Sequence, residues 1–188
     1  MGSPNADEQA FTERVISSVL LYSGDTISIE GTKDRNEETR IDSMQLVPSS
    51  KLYQFEAEDM VLGNYQVEAN EFASGDELIS LRDAAGKAGT ASTAFYGEAG
   101  TYDITVGYLD ETDGVAQLDF SVDDVSIERW RLDKRLGSVD PLEQTFTERV
   151  ISGVTLNNGS KLTLAGEVDS TEWARIDFLR ITPAVESI

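Results

Sequence analysis

The chain has no cysteine and no histidine among its 188 residues. Without cysteine there is no disulfide, no thiolate nucleophile and no sulfur-ligated metal. Without histidine there is no imidazole general base and no histidine zinc ligand. Basic residues are scarce: 15 Lys and Arg stand against 35 Asp and Glu, a net charge of −20. Phosphate binding needs a basic surface, so nucleic acid is not an expected partner, nor is an anionic membrane. No apolar run approaches the roughly 18 residues that a membrane span requires. No signal peptide is recognisable. Met1-Gly2-Ser3-Pro4 reads as a start codon followed by a cloning scar, and residues 1–10 are taken as a tag or disordered segment. The surplus acid has two readings. One is a solubilising surface suited to salty surroundings; the other is a demand for divalent cations, chiefly calcium, which takes oxygen ligands.

What is present first is a repeat. Residues 11–48 align without a gap to residues 146–183, at an offset of 135, with 17 of 38 positions identical. Phe11 to Ser17 match Phe146 to Ser152, and Arg40-Ile41-Asp42 match Arg175-Ile176-Asp177. The offset is about one domain in length. Residues 50–188 therefore read as one complete domain, and residues 11–49 as the C-terminal part of a preceding repeat, with Ser49-Ser50-Lys51 as the seam. A motif shared by both copies, such as Thr-Glu-Arg-Val-Ile-Ser, is expected to serve the scaffold.

The complete unit reads as strands. Tyr102, Ile104, Val106 and Tyr108 alternate with polar or small residues, as do Ala116, Leu118, Phe120 and Val122. Period-two alternation puts one face in a core and the other in water. Asp123-Asp124 interrupts the pattern as a tight hairpin before Val125 and Ile127 resume it. Asn157-Asn158-Gly159 is a strong turn signal ahead of Leu162 and Leu164. Leu109 to Gly114 forms another turn, whose acids Asp110, Glu111 and Asp113 do not have the spacing of an EF-hand loop and read as a polar turn. No long amphipathic helix is expected. The fold class is all-β, a β-sandwich of the jelly-roll kind.

Three stretches carry a family likeness: Tyr53-Gln54-Phe55-Glu56-Ala57-Glu58-Asp59, Ala99 to Tyr108, and Arg175-Ile176-Asp177-Phe178-Leu179. In order and spacing they resemble the opening, central and closing strands of carbohydrate-binding modules of families 6 and 35. The resemblance covers roughly residues 53–184 and implies a galactose-binding-like sandwich, non-catalytic and extracellular or cell-surface. Similar units sit in large secreted bacterial proteins, which suits a tandem repeat.

Glu56 and Glu58 lie two apart on the expected first strand, so their carboxylates share a face. Converging carboxylates repel unless a cation or proton lies between them. In the family resembled, such a pair and the Asp of the last strand hold a structural calcium; the matching residues are Glu56, Glu58 and Asp177. The other reading is a solvated acidic face.

The resemblance also implies a sugar cleft at the loop ends, built on aromatic faces. Here the chain departs from the family. The stretches Ser74–Leu81 and Gly137–Glu143 hold no aromatic, and Arg175 stands where the family has Asn. A different cleft is expected from Arg175, Trp173, Arg82, Lys87, Lys134 and Arg135. An Arg fork suits bidentate capture of a carboxylate or sulfate, so the ligand expected is an acidic polysaccharide. Against this, Arg40 repeats Arg175, so that Arg is open to an ion pair within the scaffold. Trp173 is Glu38 in the other copy. Trp130 is expected in the core, and Tyr65 at a packed rim. Two functions follow: a glycan-binding module, or a calcium-stiffened spacer of a large adhesin or surface protein with no glycan ligand. Acid pairs run glycoside hydrolysis in other proteins, but nothing singles out a catalytic pair here. Residues 11–48 also match 146–183 closely enough for strand exchange between chains.

Overall fold

The computed structural model describes Arg14, residues 26–32, 40, 41, 43, 44 and residues 52–184. The chain divides into two compact units, Met1–Ser49 and Ser50–Ile188. The described residues of the first unit are exposed and lie outside any strand. Asp42, Glu38 and most of the strands expected over 11–48 fall outside the described residues.

The second unit is all-β. Its strands are β1 (Tyr53–Glu56), β2 (Val61–Gly63), β3 (Gln66–Ala69), β4 (Glu77–Ser80), β5 (Ala88–Ala94) and β6 (Gly100–Leu109). They continue as β7 (Gln117–Val122), β8 (Val125–Arg131), β9 (Phe146–Leu156), β10 (Lys161–Glu167) and β11 (Ile176–Pro183). Helical structure among the described residues is limited to three single turns of 3-10 helix. One sheet runs β3-β4-β11-β6-β9 with β1 also on β11; the other runs β2-β5-β10-β7-β8. Every strand pairing is antiparallel.

The alternation read from the sequence builds the core. Tyr102, Ile104, Val106 and Tyr108 on β6 are buried, and they face Leu118 and Phe120 of β7 and Leu162 and Leu164 of β10 in the second sheet. Full burial of each such side chain contributes about 1.5–3 kcal/mol. Phe95 lies edge-on to both Tyr53 and Tyr102, with ring centroids 5.0 Å apart in each pair. Trp130 is buried and tilted against Tyr108. Tyr65 is buried, its hydroxyl donating to the Ala174 carbonyl at 3.0 Å.

The hairpin at Asp123-Asp124 has both residues at positive φ, 51° and 65°, as a two-residue turn between twisted strands requires. The alternation does not continue through β8 as expected. The register shift opposite Phe120 and Ser121 leaves Ile127 as the extra residue on β8, while Val125 pairs with Val122 at the hairpin end; Val125 and Ile127 are both exposed.

β11 organises the site. β6 lies along one of its edges, while β4 and β1 share the other: β4 meets Ile176 and β1 meets Phe178 to Ile181. The end of β1 and the start of β4 therefore adjoin at Asp177 and Phe178.

Candidate functional site

Glu56, Glu58 and Asp177 meet at that junction. The first strand stops at Glu56, and Glu58 lies on a 3-10 turn, Ala57–Asp59. The shared facing expected from strand period is thus produced by a turn instead, with Ala57 fully buried between the two acids. Asp177 is 2% exposed, and the Ser74 backbone N–H donates to its Oδ1 at 2.9 Å. Gln54 Nε2 donates to Glu56 Oε1 at 2.8 Å. Glu56 Oε2 and Glu58 Oε2 are buried with no hydrogen-bond donor. Burial first, then the charges of Glu56 and Glu58, push Asp177 up to about 7 against the Ser74 N–H. Burial likewise raises Glu58, and Glu56, Asp59 and Glu77 add to it. Glu58 and Asp177 are disfavoured as anions here, and with Glu56 they offer oxygen donors only, a set that fits a hard divalent cation.

Arg175 lies inside the protein, 3% exposed. Its Nε and Nη2 donate to Glu68 at 3.0 and 3.2 Å, and its Nη1 to Glu111 Oε1 at 2.5 Å. Burial would lower the guanidinium's pKa, but Glu68 and Glu111 outweigh it and raise it. Burial would raise Glu68, but the Arg175 hydrogen bond and charge hold it below the usual range. Of the two roles the sequence leaves open for Arg175, the scaffold ion pair is the one formed here, and its fork is already occupied.

Arg82, Lys87, Lys134 and Arg135 are exposed. Arg82 Nη1 is 3.6 Å from Glu68 Oε1. Trp173 is half-buried, and its carbonyl accepts the Leu81 N–H at 3.1 Å. Arg82 and Arg175 are therefore brought together around Glu68, and the Trp173 backbone is tied to Leu81, next to Arg82. The Lys134 ammonium turns onto β9, donating to Thr147 Oγ1 at 2.7 Å and sitting over Tyr108. The backbone N–H groups of Lys134 and Arg135 hold Asp110 at 3.1 and 3.0 Å. Lys87 is joined through its carbonyl to Val168 N–H.

Two features escape the sequence reading. Phe72 is 42% exposed in the loop between β3 and β4. Asn70 Nδ2 donates to the Pro141 carbonyl at 2.9 Å, laying that loop against the β8–β9 loop, where Val139 and Leu142 are exposed. The aromatic was in plain view, two residues before the stretch Ser74–Leu81. Second, one trio of carboxylates among the described residues offers an oxygen each within 4.8 Å of the others, and it is Glu111, Asp113 and Glu172 rather than Glu56, Glu58 and Asp177.

Away from both clusters, a groove of about 380 Å³ opens between Gly63, Gly89, Gly166, Gln117, Asp119 and Arg129. No aromatic residue lines it, so a sugar ring has no stacking face there.

No family model matches the chain. It is 32% identical over 139 residues to alpha-glucuronidase A of Emericella nidulans, an alignment covering 70% of this chain and 16% of that protein. The chain thus spans 16% of the length of the curated relatives it matches. Among solved structures, it is similar to a family 35 carbohydrate-binding module from Clostridium thermocellum, with a TM-score of 0.58 at 18% identity over 71% of this chain and 99% of that one. It is also similar to a family 36 module in complex with calcium and xylotriose, with a TM-score of 0.50 at 22% identity over 69% and 99%. The two antiparallel sheets of residues 52–184 thus have the β-sandwich fold of carbohydrate-binding modules of families 35 and 36.

Proposed function

We propose that residues 52–184 form a non-catalytic, extracellular carbohydrate-binding module, held closed by calcium at Glu56, Glu58 and Asp177, whose ligand is an acidic polysaccharide. The observation that carries the calcium reading is the pair of buried, donorless oxygens on Glu56 and Glu58 at the junction of β1, β4 and β11. A cation there joins the opening strand to the closing one and fixes the loop of Ser74, two residues from Phe72. The glycan reading is supported by the fold and by the relatives, which are alpha-glucuronidases. Stacking falls to Phe72, with Leu142 on the facing loop. Arg82, Lys87 and Arg135 remain exposed for a carboxylate, whereas Arg175 is held by Glu68 and Glu111.

The test is a binding titration of uronate-bearing and neutral glycans, in calcium and in EGTA. Calcium-dependent binding of one uronate-bearing class supports the proposal. Calcium stabilisation with no glycan bound favours the second reading, a spacer of a surface protein, which the repeat and the occupied Arg175 fork favour. Exchange of residues 11–48 for 146–183 between chains belongs to that spacer reading; light scattering that shows a monomer at high concentration rules it out.

A further inference from the structure

The acids of the β6–β7 loop do not form the polar turn that their sequence suggests. Asp110 and Glu111 are fully buried. Asp110 is satisfied by the backbone of Lys134 and Arg135. Glu111 shares Arg175 with Glu68 through Oε1 alone. Facing them across the sandwich end is Glu172, from the tight turn in which its N–H donates to the Asp169 carbonyl at 3.0 Å. Glu172 is 0% exposed, and neither of its carboxylate oxygens meets a hydrogen-bond donor; the carboxyl it abuts is that of Glu111, and burial together with that neighbour pushes Glu172 up to about 10. Glu111 Oε2 and Asp113 Oδ1 likewise meet no donor. The two loops are pressed flat: a Cβ on Gly114 would lie 2.1 Å from the Asp169 carbonyl oxygen and 2.7 Å from the Glu172 Cβ.

We infer that Glu111, Asp113 and Glu172 form a second divalent-cation site, for calcium, that staples the β6–β7 loop to the loop leading into β11. Beyond the clustering of acids, the deciding observation is Glu172, a buried side chain with both oxygens unpartnered and one of them within 4.8 Å of the other two acids. A shared proton is the alternative compensation. One proton bridges two oxygens, and here four lack a donor: Glu111 Oε2, Asp113 Oδ1 and both of Glu172. A calcium ion takes six to eight oxygens, mono- or bidentate, and so has coordination places for all four. With neither nitrogen nor sulfur in the set, zinc is not favoured. The repeat agrees. Asp34, Glu37 and Arg40 stand 135 positions before Asp169, Glu172 and Arg175, while Trp173 is replaced by Glu38. The acids that pin the turn are kept where the aromatic is not.

The inference is independent of the Glu56–Glu58–Asp177 clamp and of any glycan. Its test counts calcium per chain by native mass spectrometry of the full chain in wild type, Glu172→Gln, Glu58→Gln and the double variant. Glu172→Gln should carry one ion fewer than wild type, whether or not Glu58→Gln removes another. If Glu172→Gln loses its near-UV circular dichroism, Asp113→Asn, on a less buried side chain, takes its place. A Glu172→Gln protein that stays folded and keeps the wild-type calcium count overturns the site and leaves a shared proton in its place.

Discussion

Ser74 gives its backbone N–H to the carboxylate of Asp177 at 2.9 Å, and this bond fixes the β3–β4 loop to the last strand. It opposes, without cancelling, the burial and the neighbouring acids that hold Asp177 at about 7. An acid whose folded pKa lies above its unfolded value of about 3.9 favours folding when protonated. That contribution is fully present below about pH 3.9 and is lost as the pH rises to about 7. In EGTA the melting temperature should therefore fall between about pH 5 and about pH 7.5, by at most about 1.4 kcal/mol of stability per pH unit. Calcium favours the charged carboxylate and should remove the fall. Asp177→Asn should lose both the pH slope and the calcium response. Identical melting curves with and without calcium would remove the clamp.

The strands were legible because alternation is written locally. β7 carries it in full, and β6 keeps it from Tyr102 to Val106, beyond which Gly107 and Leu109 are buried along with Tyr108. The bulge at Phe120 and Ser121 was not legible, because one extra residue in a ladder leaves no compositional mark. At the site, Glu56, Glu58 and Asp177 could be named from their resemblance to a known pattern. Arg175 could not be assigned, because its partners Glu68 and Glu111 lie 107 and 64 residues away. Glu172 escaped for the same reason. An acid in a polar turn looks solvated until the fold lays another loop over it.

Arg175 compensates two acids, one of them fully buried, so its loss should be costly. Arg175→Ala leaves Glu68 and Glu111 without their cation and should cost about 3–5 kcal/mol in urea unfolding. Arg82 touches the same Glu68, but its side chain is 59% exposed. Arg82→Ala should cost about 0.5 kcal/mol or less. Equal effects of the two variants would mean that the buried triad is not the anchor described here.

Gly114 is needed for close approach rather than for its backbone angles. Gly114→Ala drives a methyl group into the Asp169 carbonyl and the Glu172 side chain, and should destabilise by about 1–3 kcal/mol. Gly153 and Gly159 have open space around them but φ of 74° and 87°, so alanine there should cost about 1 kcal/mol through backbone strain alone. Gly114→Ala should also weaken calcium binding, which Gly159→Ala should not. The split is read by calorimetric titration of each variant.

Phe72 separates the glycan module from the spacer. Its ring is 42% exposed on a loop held at both ends, by Asn70 to Pro141 and by Ser74 to Asp177. A side chain on a fixed loop that packs into no core contributes little to stability, so Phe72→Ala should leave the melting temperature within the error of wild type. If the ring is a stacking face, the same variant should weaken binding of a uronate-bearing oligosaccharide about tenfold, or about 1.4 kcal/mol. Phe72→Tyr, which keeps the aromatic face, should restore it. A variant that binds as wild type does moves the sugar away from this loop, and the exposed aromatic then has no part in recognition.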